Sequence, residues 1–322
     1  RLWQGASVVF CALGMASKGV MVTAPLTVFL YDRVFISGSW RKTLAKRWRL
    51  YLGLAATWGV LLFLWVAATR HIAEPTAGFS FKEVTPLQYL RTQPGVILHY
   101  IRLVFWPHPL VLDYGWPVVM NAGEVILPAA ALAAIFVTTA AFFKYRKEAV
   151  FLCAVFFLVL APTSSFFPIA DLAFEHRMYL SLAAVLTLAV TGAHALIGRL
   201  FSERRKRIYA AFFLTLLASA ALGSVTVLRN SDYQNELTIW GDAASRRPNN
   251  PRAQDTLGFI LMKEGRLEEA LEHVLSAVRL ATAYPCYHNS AGILLARMGH
   301  YEEAIKYYTN AVKLIPEYAL AH

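Results

Sequence analysis

The sequence predicts an all-α protein in two parts: a polytopic bundle of transmembrane helices over residues 1–228 and an α-solenoid over residues 229–322. Three observations predict it. The chain is 57% hydrophobic with a mean hydropathy of +0.46, too apolar for an ordinary soluble domain. Its apolar residues collect in runs of about twenty, separated by basic stretches, and all of these runs precede residue 229. Beyond that point a 34-residue period begins: Gly258, Gly265, Ala270 and Ala277 recur as Gly292, Gly299, Ala304 and Ala311.

In chain order, residues 5–31 form the first apolar stretch. It carries Ser17 and Lys18 at its middle, so it is either one long span or two short helices turning there. Residues 50–69, 125–143, 149–167, 178–198 and 208–228 follow, each close to the length a spanning helix needs. Three short Lys/Arg-rich loops, 33–49, 144–147 and 199–207, separate them. Placing all three in the cytoplasm agrees with strict alternation of the spans. Residues 70–124, 162–177 and the whole solenoid then lie outside the cytoplasm. Residues 95–106 are apolar but short and hold His99 and Arg102. A crossing there would break the alternation, so the stretch is expected as an interfacial or re-entrant helix ending at Pro107 and Pro109. Backbone at that depth needs protein or a wet cavity beside it.

The 34-residue period with this Gly/Ala pattern is that of tetratricopeptide (TPR) repeats. Residues 233–247 fit the second helix of a partial first repeat, 250–262 with 267–280 the next pair, and 285–298 with 301–314 the pair after that. Gly265 and Gly299 belong in turns. The four alanines allow neighbouring helices to approach, and Leu271, Val274, Ile305 and Tyr308 are expected in the shared core. Pro316 stands where such a repeat ends a helix. The chain begins with Arg1 and stops at His322, inside a repeat, so it is expected to be a fragment with further repeats following. A surface of this kind is expected to bind protein; a structural spacer is the alternative.

The net charge is +11, but residues 229–322 hold 10 basic and 11 acidic residues. The membrane part therefore carries 21 basic and 9 acidic residues, +12, mostly in the three loops. This is a topology signal and argues against nucleic acid as a partner. The three cysteines, Cys11, Cys153 and Cys286, form no disulfide framework. Phosphate-binding loops, dinucleotide fingerprints, His-Glu-x-x-His and Cys-x-x-Cys spacings are absent from the sequence, so no metal site is assigned.

Chemistry is best placed at Asp171-Leu-Ala-Phe-Glu175-His176-Arg177-Met178-Tyr179, where a span enters the membrane. Ionisable groups at such depth are costly and tend to serve function. Arg177 is suited to hold a phosphate through parallel hydrogen bonds, Glu175 to orient Arg177 or bind a divalent metal, and His176 to donate to a phosphate oxygen. A salt-bridged helix start with Arg177 snorkelling towards headgroups is the plain alternative. Lys18 is a second candidate cation, inexpensive if it stands at the tip of a hairpin. Arg102 is a third. Asp113 follows the amphipathic stretch and faces a cavity in one reading; in the other it is an Asx-turn residue before Gly115.

Several segments carry a family resemblance: Ser17-Lys18, Thr23-Ala-Pro25-Leu26 and Leu30-Tyr31-Asp32-Arg33; Tyr100-Ile-Arg102-Leu-Val-Phe-Trp-Pro107 with Leu112-Asp113-Tyr114; and above all Glu175-His176-Arg177-Met178-Tyr179-Leu180. Together they resemble bacterial TMTC-type membrane TPR proteins, O-mannosyltransferase-like members of the GT-C class of membrane glycosyltransferases. The resemblance implies an integral protein of the bacterial inner membrane that moves a sugar, mannose in this family's chemistry, from a polyprenyl-phosphate donor to protein Ser/Thr hydroxyls. With that chemistry Arg177, with Lys18 or Arg102, is assigned to the lipid phosphate, Glu175, His176 and Asp113 are the catalytic candidates, and the repeats are expected to bind an acceptor or partner. The acidic pair of the class would lie in a loop before Arg1. A non-catalytic membrane-anchored TPR scaffold is the competing expectation.

Overall fold

The computed structural model describes residues 2–69, 84–141 and 145–321. Lys144 and the start of the expected external loop, residues 70–83, lie outside the described residues. Regular structure among the described residues is helical, with fourteen α-helices. The chain divides into two compact units, one of Arg1–Pro107 and Pro117–Ser202, the other of His108–Trp116 and Glu203–His322.

In the first unit, α1 (Leu2–Ser17) stops at Lys18, whose backbone is extended (φ −155°, ψ 132°). A 3-10 turn, Gly19–Thr23, leads into α2 (Ala24–Tyr31), which runs on as a π turn, Asp32–Ser37. Of the two readings of residues 5–31, the turn at Ser17-Lys18 is the one observed. The basic stretch expected as a loop is largely helical: residues from Trp40 onward open α3 (Trp40–Ala56), with one non-helical residue at Arg47 (φ −132°, ψ 23°). Lys, Arg, Leu and Ala are good helix formers, and positive charge near a span reports its side, not its conformation. α4 (Trp58–Thr69) follows after Thr57. Cys11, Met15 and Leu54 form the buried centre of this corner, with Val8, Leu50 and Leu61 around them.

α5 (Pro86–Phe105) begins nine residues before the expected 95. A capping box starts it: the Gln88 amide N–H donates to the Thr85 hydroxyl and the Gln88 side chain accepts from the Thr85 N–H. Pro94 lies inside the helix. Its missing N–H and steric cost are offset by one continuous buried face: Tyr89, Thr92, Gln93, Val96, Tyr100 and Leu103, at helical spacing. α6 (Ala122–Ala141) follows the loop. α7 (Lys147–Leu160) stops well before the expected 167. Pro162 cannot donate to continue the ladder, and 14 residues at 1.5 Å each reach only about 21 Å, short of a hydrocarbon core of about 30 Å. α8 (Met178–Leu200) completes the unit. By length and composition five helical stretches among the described residues are long and apolar enough to cross a membrane: Gly19–Ser37, Trp40–Ala67, Ala122–Ala141, Glu175–Leu200 and Arg204–Asp232. The run at 149–167 is thus not among them, and Gly19–Ser37 is.

The second unit opens with α9 (Arg204–Asp232). Arg229 near its end ion-pairs with Asp232 at 3.0 Å and with Asp242 at 2.8 Å on α10 (Glu236–Arg246). Two helix pairs follow, α11 (Pro251–Lys263) with α12 (Leu267–Leu280), and α13 (Pro285–Arg297) with α14 (Tyr301–Leu314). Their turns need glycine: Gly265 and Gly299 have φ of 82° and 83°. Ala270, Ala277, Ala304 and Ala311 are fully buried, as is Val274. One expectation is corrected. Ile305 is 62% exposed, because no further helix pair among the described residues covers that face of α14.

Gly258 shows how tightly the pairs approach. A Cβ there would lie 2.5 Å from Val274 Cγ2 and 3.0 Å from the Ala270 carbonyl oxygen. Gly258→Ala is expected to destabilise the repeat unit by about 1–3 kcal/mol, seen as a lower thermal midpoint. Val274→Ala in the same chain relieves the side-chain clash but leaves the carbonyl contact, so it should restore only part of the loss.

Candidate functional site

Between α7 and α8 the chain runs through turns and enters α8 by a 3-10 turn, Glu175–Arg177. Two buried phenols on α5 and one guanidinium hold this connection. The Tyr89 hydroxyl donates to the Thr163 carbonyl at 2.6 Å. Arg177 Nη1 donates to the Tyr89 oxygen at 3.2 Å and to the carbonyls of Thr163 at 3.1 Å and Leu172 at 3.2 Å. Its Nη2 donates to the Asp171 carbonyl. The Tyr100 hydroxyl accepts the Phe174 N–H at 2.7 Å and donates to the Phe174 carbonyl at 3.0 Å. Burial pushes both phenols up from their ordinary range while Arg177 pulls the other way, so both remain protonated donors.

The arrangement leaves Arg177 with four neutral acceptors. Its charge also bears on the Tyr100 phenol. His176 beside it is exposed and Glu175 half-buried. The charges of Arg177, Lys18 and Asp171 all act on the His176 ring. Lys18 is exposed at the break after α1. Lys18 and Arg177 are thus near enough for their charges to act on the His176 ring, and Glu175 precedes His176 in the chain.

Arg102 is on the exposed side of α5. Asp113 belongs to the second unit. Its Oδ1 accepts the Gly115 N–H at 3.0 Å, and its Oδ2 ion-pairs with Arg252. The turn reading of Asp113 is the one observed, and both carboxylate oxygens are engaged. Among the described residues no group of three or more His, Cys, Asp or Glu side chains is placed to hold a metal ion.

Two features escaped sequence reasoning. Tyr89 and Tyr100 give no signal as single residues; only the face they share on α5 marks them. Asp32 is a buried polar hub: it accepts from the Tyr51 hydroxyl at 2.5 Å and the Ser37 hydroxyl at 2.7 Å, and ion-pairs with Arg47 at 2.9 Å. A carboxylate in an apolar run was the available signal.

In the repeats, Asp255 on α11 is largely buried and interacts with the Ser290 side chain. Its Oδ1 has no hydrogen-bond partner among the described residues, and burial pushes its carboxyl up to about 6. Beside it a cavity of about 250 Å³ is lined by Phe259, Met262, Cys286, Asn289, Ser290 and Ile293, among others.

Comparison with known proteins places these features. The tetratricopeptide repeat family matches residues 285–318. The Protein O-mannosyl-transferase Tmtc2 of Drosophila melanogaster is 29% identical over 141 residues, taking in 42% of this chain and 14% of that protein. The chain thus spans about a seventh of the curated relative it matches. Among solved structures, the crystal structure of YrrB, described as a TPR protein with an unusual peptide-binding site, aligns with a TM-score of 0.27 at 16% identity, covering 57% of this chain and 86% of that one. Regular structure among the described residues is helical, and residues 285–318 match the tetratricopeptide repeat. The chain bears a weak similarity to an O-mannosyltransferase over less than half its length.

Two outcomes are expected. Tyr100→Phe leaves the Phe174 N–H and carbonyl without the phenol and should cost about 1–3 kcal/mol, read as faster hydrogen exchange at the Phe174 amide. For Asp255 the folded carboxyl binds its proton more tightly than the unfolded one. Its contribution is therefore least unfavourable below about pH 4, and stability falls as pH rises to about 6, by an amount on the order of 1–3 kcal/mol. Asp255→Asn should flatten this part of the unfolding free energy measured against pH.

Proposed function

We propose that the chain is part of a membrane glycosyltransferase-like protein of the TMTC type. In this reading it takes a sugar, mannose, from a polyprenyl-phosphate carrier and transfers it to protein Ser/Thr hydroxyls outside the cytoplasm, while the repeats hold the acceptor or a partner. The observation that carries the reading is the Arg177 guanidinium, held by Tyr89 and the backbone of the preceding connection at the start of a long apolar helix, with the Lys18 charge acting on the adjacent His176 ring. It is supported by the similarity to an O-mannosyltransferase. A departing lipid phosphate gathers negative charge, and cations fixed beforehand near its oxygens stabilise that charge as it develops. Arg177 supplies one such charge while Nη1 and Nη2 keep the carbonyls in place. Lys18 supplies a second charge, and Arg102 a third in the same reading. Glu175 is the carboxylate nearest in the chain and the candidate to take the hydroxyl proton. Asp113, bonded to Gly115 and paired with Arg252, is the weaker candidate.

A second reading, a membrane-anchored TPR scaffold without catalysis, is favoured by one observation: four of the contacts of Arg177 serve the local backbone and Tyr89, a structural task that needs no substrate. Transfer of radiolabelled mannose from a polyprenyl-phosphate donor, by the protein with its natural flanks in membranes, separates the two. Arg177→Ala is expected to lower transfer on the order of 10²–10³-fold. Lys18→Ala, at an exposed position, should lower it less and leave the fold unchanged. Normal transfer by both variants overturns the phosphate assignment. No transfer by the unaltered protein favours the scaffold.

A further inference from the structure

The segment His108–Trp116 lies in the loop between α5 and α6, yet it packs with the repeats. Loops are ordinarily exposed, but here Val111 is 1% exposed, Tyr114 2% and Asp113 5%. Three residues around the turn between α10 and α11 hold it. The Arg247 guanidinium lies 5.1 Å over the Tyr114 ring. Arg252 ion-pairs with the Asp113 carboxylate. Asn250 donates its Nδ2–H to the Asp113 carbonyl at 3.1 Å, while its Oδ1 accepts from the Arg252 and Ala253 amides as the N-cap of α11. One side chain thus both starts a repeat helix and grips the loop. Gly115 (φ 47°) completes the fit: a Cβ there would lie 2.5 Å from Asn250 Cγ.

The repeats supply their own comparison. One period of 34 residues later, Arg247, Asn250 and Arg252 are replaced by Ala281, Tyr284 and Cys286, and Tyr284 makes no side-chain cap. The clasp chemistry occurs at the first turn of the array and not at the next. The first turn is also where the array is incomplete, since α10 fits only the second helix of a repeat. A solenoid covers each repeat with its neighbours and needs something else at its ends.

We propose that His108–Trp116 is the amino-terminal cap of the TPR array, supplied from a loop 137 residues distant in the chain and clasped by Arg247, Asn250 and Arg252. The cap is a built-in partner for the α10–α11 turn, and Asp113 is its positioning residue.

Hydrogen exchange on the intact protein tests this. Asp113→Asn keeps the acceptor for the Gly115 N–H and removes the charge facing Arg252. It is expected to speed exchange about tenfold at the Val111 and Tyr114 amides and at Ala253, with α13 and α14 unchanged. Arg252→Ala should act alike, and the double variant should be no worse than either single one. Unchanged exchange in the loop, a uniform increase reaching α13 and α14, or fully additive single effects would overturn the cap.

Discussion

A single guanidinium satisfies the carbonyls that the connection between α7 and α8 leaves over. Buried backbone oxygens without partners are costly, and this connection is neither helix nor strand. Arg177 answers with three carbonyls and the Tyr89 oxygen at once. Its donors radiate from one plane, so fixing them fixes the connection and the first turn of α8 together. The two phenols of α5 extend the same solution by meeting Thr163 and Phe174. His176 and Glu175 take their positions from this frame. Any role for them in chemistry inherits the rigidity of Arg177.

The same rule recurs elsewhere with different donors. Asp32, buried in a mostly apolar stretch, is met by a phenol, a hydroxyl and a guanidinium. Asp113 is met by its own turn and by Arg252. Asp255 is the contrast: one oxygen stays without a partner, and the group responds by holding its proton to higher pH. An apolar chain thus tolerates a carboxylate either by surrounding it with donors or by letting it neutralise.

The repeats were legible to within about three residues at each helix end, because a fixed period carries its own alignment and Gly265 and Gly299 mark turns that other residues strain to make. Ile305 failed the same logic because its cover depends on a neighbour, not on its place in the period. Boundaries set by proline were harder. Pro162 follows the end of α7, whereas Pro94 sits inside α5, and only the buried face around Pro94 tells the two apart. Lys18, His176 and Arg177 were visible as charge in an apolar setting. The bonds that set Arg177 and its connection join residues 74 and 88 positions apart, a distance at which local pattern carries no information. The alternatives left open at Asp113 had the same cause.

The clasp on His108–Trp116 also sets an order of events during synthesis. Val111 and Tyr114 leave the ribosome well before Arg247, Asn250 and Arg252, the residues that hold the segment. In that interval the loop stays bare, an apolar and aromatic patch of the sort that chaperones hold. Closing so long a chain loop is slow, and maturation of the second unit therefore waits on the emergence of α11.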